Sequence, residues 1–174
     1  KGNIYKIYNN NLLIHGCVPM DKNGEFVTTN VNGVELKGKN YLDYVEKIAR
    51  EGYFETEGSE KRENGKDFLW YLWCGKNSPI FCKDKMKTFE RYYLEEKETW
   101  EEIKNPFYNF ENDENVSVKV LREFGIDPKK GHIICGHIPV KFKAGESPIK
   151  ASGKLFIIDG GLSKAYQKTT GIAG

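Results

Sequence analysis

Nowhere in these 174 residues does an apolar run approach the roughly 20 that a membrane-spanning helix needs, so a membrane partner is not expected. A strong excess of one charge is also missing. With 27 Lys+Arg against 25 Asp+Glu the net charge is +2, which argues against a general nucleic-acid binder or an anionic-membrane adsorber. The four cysteines, at 17, 74, 82 and 135, include no pair at the two-residue spacing of a zinc knuckle or redox motif. Four reduced thiols and a cytoplasmic location are therefore expected, with Cys17 and Cys135 acting as small buried hydrophobes in or beside apolar strands. No secretory leader is visible, because Lys1-Gly2-Asn3 passes straight into strand-like Ile4-Tyr5-Lys6-Ile7-Tyr8. An initiating methionine is missing as well. With the tail Gly171-Ile172-Ala173-Gly174, this makes the chain read as a piece of something longer.

Histidine is scarce, at three residues, and two of the three sit in the same local grammar. GHIICGHIPV, Gly131 to Val140, is a short apolar strand ending in a tight Gly136-His137-Ile138-Pro139 turn. Leu12-Leu13-Ile14-His15-Gly16-Cys17-Val18-Pro19 repeats it: apolar strand, His and Gly together, then proline. A strand fixes position, glycine lets the backbone turn closely, and the imidazole is delivered to the sheet's edge. Neutral imidazole is a common ligand for divalent metals, so His15 and His137 on adjacent strand ends are expected to share one ion. The plain alternative is two turn histidines satisfied by backbone carbonyls. His132 opens the second strand five residues before His137, which points it elsewhere and makes it structural. A hydrolytic metal centre also needs carboxylates, and no Asp-x-His occurs here.

In order, the chain reads as strands, helices, strands. Residues 4 to 8 and 12 to 15 form a hairpin about Asn9-Asn10-Asn11, and Phe26 to Asn30 with Val34 to Leu36 form a second, flap-like one. Tyr41, Val45, Ile48 and Ala49 recur at helical spacing over 39 to 51, with Gly52 as the stop. Gly58 to Gly65 reads as a polar connection, and Asp67 to Trp73 (DFLWYLW) as a buried helix packed by Phe68, Trp70 and Trp73. Lys83 to Lys104 reads as one or two charged surface helices anchored by Met86, Phe89, Tyr93, Leu94 and Trp100. Val116, Val120, Leu121 and Phe124 share one helical face stopped by Gly125. A last strand, Leu155 to Ile158, ends at Asp159-Gly160-Gly161. The length suits one domain with a proper core, and the order points to an α/β fold, a mixed β-sheet with packed helices.

Leu13-Ile14-His15-Gly16 with Pro19, and later Gly136-His137, resemble the last two metal-binding motifs of the calcineurin-like metallophosphoesterases. Leu69 to Pro79 resembles the Leu-Trp…Pro element between those motifs. Longer blocks, among them NNNLLIHGCVPMDKNGEF, WYLWCGKNSPIF and GHIPVKFKAGESPIKASGKLFIIDGG, look like the class III bacterial fructose-1,6-bisphosphatases and cover nearly the whole chain.

That resemblance implies a binuclear Mn2+ centre, hydrolysis of the 1-phosphate of fructose 1,6-bisphosphate, and a role in gluconeogenesis. It makes His15 and His137 ligands of one ion. The superfamily's Asp-x-His, Gly-Asp-x-x-Asp-Arg-Gly and Gly-Asn-His blocks are missing here, as is the second histidine of a Gly-His-x-His variant. The chain is therefore expected to be the C-terminal half of a metallophosphoesterase-type α/β/β/α sandwich. It would hold no catalytic acid, have little activity alone, and need the N-terminal part of the same protein as partner. A second copy is a further expected partner, since a severed half exposes apolar surface. Of the lysines around Ala144 to Pro148, Lys150 and Lys143 are favoured to hold the non-reacting phosphate of the sugar bisphosphate. Asp159 either orients a ligand histidine or simply opens an Asp-Gly turn. Two rival readings remain: the same scaffold acting on another phosphoester, or a non-catalytic association domain whose histidines are structural.

Overall fold

The computed structural model describes residues 2–31, 33–159 and 164–171. Asn32, the Gly160-Gly161 part of the terminal turn, and residues 172–174 of the tail lie outside them. The chain divides into two compact units, Lys1–Val18 with Asn109–Gly174, and Pro19–Tyr108.

The first unit is built on a mixed five-stranded sheet. Its strands are β1 (Tyr5–Tyr8), β2 (Asn11–Ile14), β5 (Ile133–Cys135), β6 (Ile149–Lys150) and β7 (Leu155–Ile157), in the spatial order β1-β2-β5-β7-β6. The β2–β5 and β5–β7 pairs are parallel, and both outer pairs are antiparallel. The expected α/β class with a mixed sheet is therefore present. The β1–β2 turn is two residues long because Asn9 and Asn10 both take positive φ, 47° and 58°, as a tight turn matched to strand twist requires.

Alternation along the strands divides the sheet into a closed and an open face. Leu12, Ile14, Ile133, Cys135, Leu155 and Ile157 are buried on the closed face. A helix, Glu114–Glu123, supplies buried Val120 and Leu121, and its following Phe124 meets Tyr5 edge to face. Asp113 caps it by accepting from the N–H groups of Asn115 and Val116, and Gly125 at φ 69° ends it, as the spacing predicts. In the other direction, Lys6, Leu13, Ile134, Phe156 and Ile149 stand in register across all five strands, and none of them is buried. A last helix covers Lys164–Thr170.

The second unit holds the small hairpin β3 (Thr29–Val31) and β4 (Val34–Leu36), then two helices, α1 (Gly38–Phe54) and α2 (Glu60–Cys74). Here three expectations are corrected. Gly52 does not stop α1; it lies inside it, and a Cβ there would sit 2.5 Å from the Gly65 carbonyl carbon. The two glycines are where the helix backbones touch. The stretch read as a polar connection is the first half of α2, opened by Ser59, whose hydroxyl accepts from Arg62 N–H, with Glu60 and Glu63 favourable near its N-terminus. The aromatic run is helical but not buried, because Trp70 is 65% and Trp73 58% exposed, and only Leu72 and Gly65 of α2 are enclosed.

The 83–104 segment departs further from the expectation. Apart from one helical turn (Glu90–Tyr93) and one 3-10 turn (Lys97–Trp100) it is irregular, and Phe89, Tyr93 and Leu94 are exposed rather than anchoring. Propensity and charge spacing favoured helix there, but no apolar stripe finds a surface to cover. All four cysteines are free, three of them buried. No helix among the described residues is long and apolar enough to cross a membrane.

Candidate metal centre

Parallel pairing of β2 with β5 sets the geometry of the two histidine turns. Leu12 stands opposite Ile133 and Leu13 opposite Ile134, so His15 and Gly136 leave their strands at the same level. The Gly136 N–H donates to the His15 carbonyl at 3.0 Å, joining the two strand ends by one backbone bond. His137 then takes φ 67°, and the Ile138 N–H returns to the Gly136 carbonyl at 2.8 Å. This is a three-residue γ-turn with a non-glycine residue at its positive-φ centre, a strained conformation of the sort that holds functional side chains. The far side is pinned by the Val140 N–H donating to the Asp159 carbonyl, 2.8 Å.

The rings that result face each other. His15 Nε2 and His137 Nδ1 are 3.1 Å apart, with ring centroids 4.9 Å apart and planes at 66°. Without a cation, one nitrogen carries the proton and the other accepts it. Two imidazole nitrogens bound at about 2.1 Å to one ion, at a right or tetrahedral angle, are about 3.0 to 3.4 Å apart. The observed separation fits, so both could turn their lone pairs to one cation with little movement. Among the described residues no group of three or more His, Cys, Asp or Glu side chains could hold a metal, which leaves this pair as a two-nitrogen set. A groove of about 490 Å³ is lined by His15, by Leu13, Ile134, Ile158 and Lys6 on the open face of the sheet, and by Tyr5.

The other sequence-chosen residues lie as follows. Asp159 is next to the γ-turn: a Cβ on Gly136 would stand 3.6 Å from the His15 carbonyl oxygen and 3.8 Å from Asp159 Cβ. Lys150 pairs with Leu155 across β6 and β7, on the closed face, where its Nζ donates to Glu111 Oε1 at 2.6 Å and only 8% of the side chain is exposed. Lys143 is exposed, and its Nζ donates to the Lys168 carbonyl, 2.8 Å. His132 is structural as expected, with Nδ1 2.8 Å from the Gly153 carbonyl and its ring edge-on to Phe156.

Sequence reasoning missed the residues that hold the two strands in register. Asn10 Oδ1 accepts from the Asp127 N–H, Asn10 Nδ2 donates to the Asp127 carbonyl, and Asn11 Oδ1 accepts from the His132 N–H. Gly131 is needed there, since a Cβ would lie 2.6 Å from the Asn10 carbonyl oxygen. The asparagines announced only a turn. Their second task, tying that turn to residues over a hundred positions away, leaves no local signal. Nor does the pairing of Glu111 with Lys150.

Comparison with known proteins shows the family. The Firmicute fructose-1,6-bisphosphatase family matches residues 1–174. The class 3 fructose-1,6-bisphosphatase of Fusobacterium nucleatum is 54% identical over 174 residues, all of this chain and 27% of the relative. Those of Clostridium botulinum and Clostridium novyi are 53% identical over 173 residues and 51% over 174, each match covering 26% of the relative. The chain thus spans about a quarter of the length of the curated relatives it matches. No solved structure matches. Matched from its first residue to its last, the chain belongs to the Firmicute fructose-1,6-bisphosphatase family.

Proposed function

We propose that this chain is the C-terminal part of a cytoplasmic, metal-dependent phosphatase that hydrolyses fructose 1,6-bisphosphate to fructose 6-phosphate and phosphate, a gluconeogenic step. The observation that carries this reading is the 3.1 Å approach of His15 Nε2 to His137 Nδ1 in a chain that belongs to this family. In the proposed site both nitrogens bind one divalent cation of the manganese type, one half of a binuclear centre. The cations would supply Lewis-acid stabilisation of charge on the reacting phosphate.

This chain's own contribution is positional. The shared backbone bond from Gly136 to His15 and the γ-turn at His137 hold the imidazoles so that few degrees of freedom are lost on binding. Lys143, exposed and tied to a carbonyl, is suited to hold the second phosphate of the sugar. Lys150 would first have to leave Glu111. The open sheet face supports the partner in this reading. Parallel strands are normally covered on both sides, and Leu13, Ile134 and Phe156 are not. The N-terminal part of the same protein would cover them and bring the carboxylates that this chain lacks.

The test reads metal binding first. Titration of Mn2+ by electron paramagnetic resonance should show weak binding to this chain, lost in His15→Ala and in His137→Ala, with negligible turnover of fructose 1,6-bisphosphate. In the full-length enzyme either substitution should lower activity by about 100-fold or more. Full activity in both full-length variants would sink the assignment.

A further inference from the structure

In the second unit the irregular segment after α2 encloses a cavity of about 500 Å³, a size suited to a small ligand. It is lined by Lys87, Thr88, Arg91, Tyr92, Trp100 and Glu102. The two ends of this segment are tied together: the Asp84 N–H donates to the Ile103 carbonyl at 2.9 Å, the Ile103 N–H to Asp84 Oδ1 at 2.8 Å, and the Asn105 N–H to the Cys82 carbonyl at 2.8 Å. One aromatic wall is fixed in place, since Trp100 Nε1 donates to the Leu94 carbonyl at 3.2 Å.

The charges around this cavity do not balance. Among the described residues Glu102 is the one carboxylate lining it, and its Oε2 is already paired with Lys83 Nζ from outside the lining. That leaves Lys87 and Arg91 as lining cations, and neither belongs to an ion pair among the described residues. Lys87 is only 3% exposed, an unusual position for a lysine, and shares Glu102 with Lys83, its backbone N–H donating to Glu102 Oε1 at 3.4 Å. A lysine and an arginine lining one cavity suit a phosphate, the guanidinium as a fork and the ammonium as a point charge. Indole and phenol faces beside them suit a planar ring or the C–H face of a sugar.

We propose that this cavity binds a small organic phosphate, its phosphate held between Lys87 and Arg91 and its organic part against Trp100 and Tyr92. Among the described residues the site is lined by residues 87–102, and it does not rest on the metal reading of His15 and His137. Its ligand is defined by two features together, a phosphate monoester and a flat face, and either a nucleotide or a sugar phosphate has both.

Tryptophan fluorescence and calorimetry on this chain, with four probes, test it: uridine 5′-monophosphate, ribose 5-phosphate, uridine and inorganic phosphate. At least one of the two organic phosphates should bind saturably with Kd of about 1 mM or tighter. Uridine should not bind, and inorganic phosphate should compete weakly. Binding of the nucleotide alone assigns the flat face to a base; binding of both assigns it to the sugar. Arg91→Gln, on an exposed side chain, should weaken binding about tenfold or more. Trp100→Phe should remove the fluorescence change while Trp70 and Trp73 remain. Uridine binding as tightly as its monophosphate, an organic phosphate no tighter than inorganic phosphate, unchanged affinity in Arg91→Gln, or no saturable binding at all would each overturn the proposal.

Discussion

Close packing is reached through different atoms in the two units. In the sheet unit, side chains do it: alternate residues of β2, β5 and β7 interlock on one face, and the backbones keep ordinary ladder spacing. In the helical unit the closest approach is made where side chains are missing, at Gly52 and Gly65, while tryptophans a turn or two further along α2 stand in solvent. The first arrangement makes stability depend on which apolar residue occupies an alternating position. The second makes it depend on a residue having no side chain at all. Both units also leave apolar surface open, as a row across the sheet in one and as the aromatic side of α2 in the other.

The largest expected effect lies on the closed sheet face. Leu12 is fully buried, so Leu12→Ala should cost about 2 to 5 kcal/mol through lost burial and the cavity left behind. Its neighbour Leu13, on the open face, should cost about 1 kcal/mol when changed to alanine in this chain. Urea denaturation of the two variants measures the difference. Equal losses would mean that the open face is covered in solution, by a second copy or by rearrangement, and the contrast between faces would fall. In the full-length protein the two losses should converge, because both faces would then be buried.

A smaller effect sharpens the other side of the comparison. Alanine at position 65 gains about 1 kcal/mol of intrinsic helix preference over glycine. Its Cβ would nevertheless stand 2.2 Å from the Gly52 nitrogen and 2.3 Å from the Gly52 Cα, both backbone atoms that no rotamer change can move. Gly65→Ala should therefore destabilise by about 1 to 3 kcal/mol, the usual range for overpacking. Trp70→Ala, which removes a far larger side chain from the same helix, should change stability by only about 0.5 kcal/mol. Thermal unfolding of the pair decides it, and a Gly65→Ala protein as stable as the parent would show that the helices do not touch there.

The same contrast explains what was readable from the residues. Strand periodicity, the asparagine turn and the two His-Gly motifs foretold the sheet and the meeting of His15 with His137, because each is a local pattern whose partner carries a matching one. The helix over 116–124 is legible for the same reason, with an apolar stripe and a stopping glycine in place. Gly52 and Gly65 were read as punctuation, since glycine usually ends helices. Only the neighbour's position reveals a packing role. Aromatic residues usually pack in a core, but burial belongs to the assembled surface, and this chain spans about a quarter of the length of its curated relatives. The ion pairs Lys150–Glu111 and Lys83–Glu102, 39 and 19 residues apart, had no sequence signature of any kind.

The Lys83–Glu102 pair supports the last and smallest prediction. Between residues 83 and 104 the helical unit lacks both a glycine contact and an apolar face, and its ends are joined by this pair and a few backbone bonds. Burial pushes the Glu102 carboxyl up, but the hydrogen bond and charge of Lys83, with the backbone N–H and charge of Lys87, outweigh it and hold the carboxyl below its ordinary 4.5. A carboxyl depressed in the folded state takes up protons less readily there than in the unfolded chain. Its contribution is then fully present above about 4.5 and is lost as pH falls through the lower folded value. The stability gap between the parent and Glu102→Gln should be open near neutral pH, unchanged down to about 4.5, and closed as pH falls through the lower folded value. Urea midpoints across the pH range measure it. A gap that persists at the acid end would mean that Glu102 acts through packing, and that this segment is held together by the same kind of contact as the sheet.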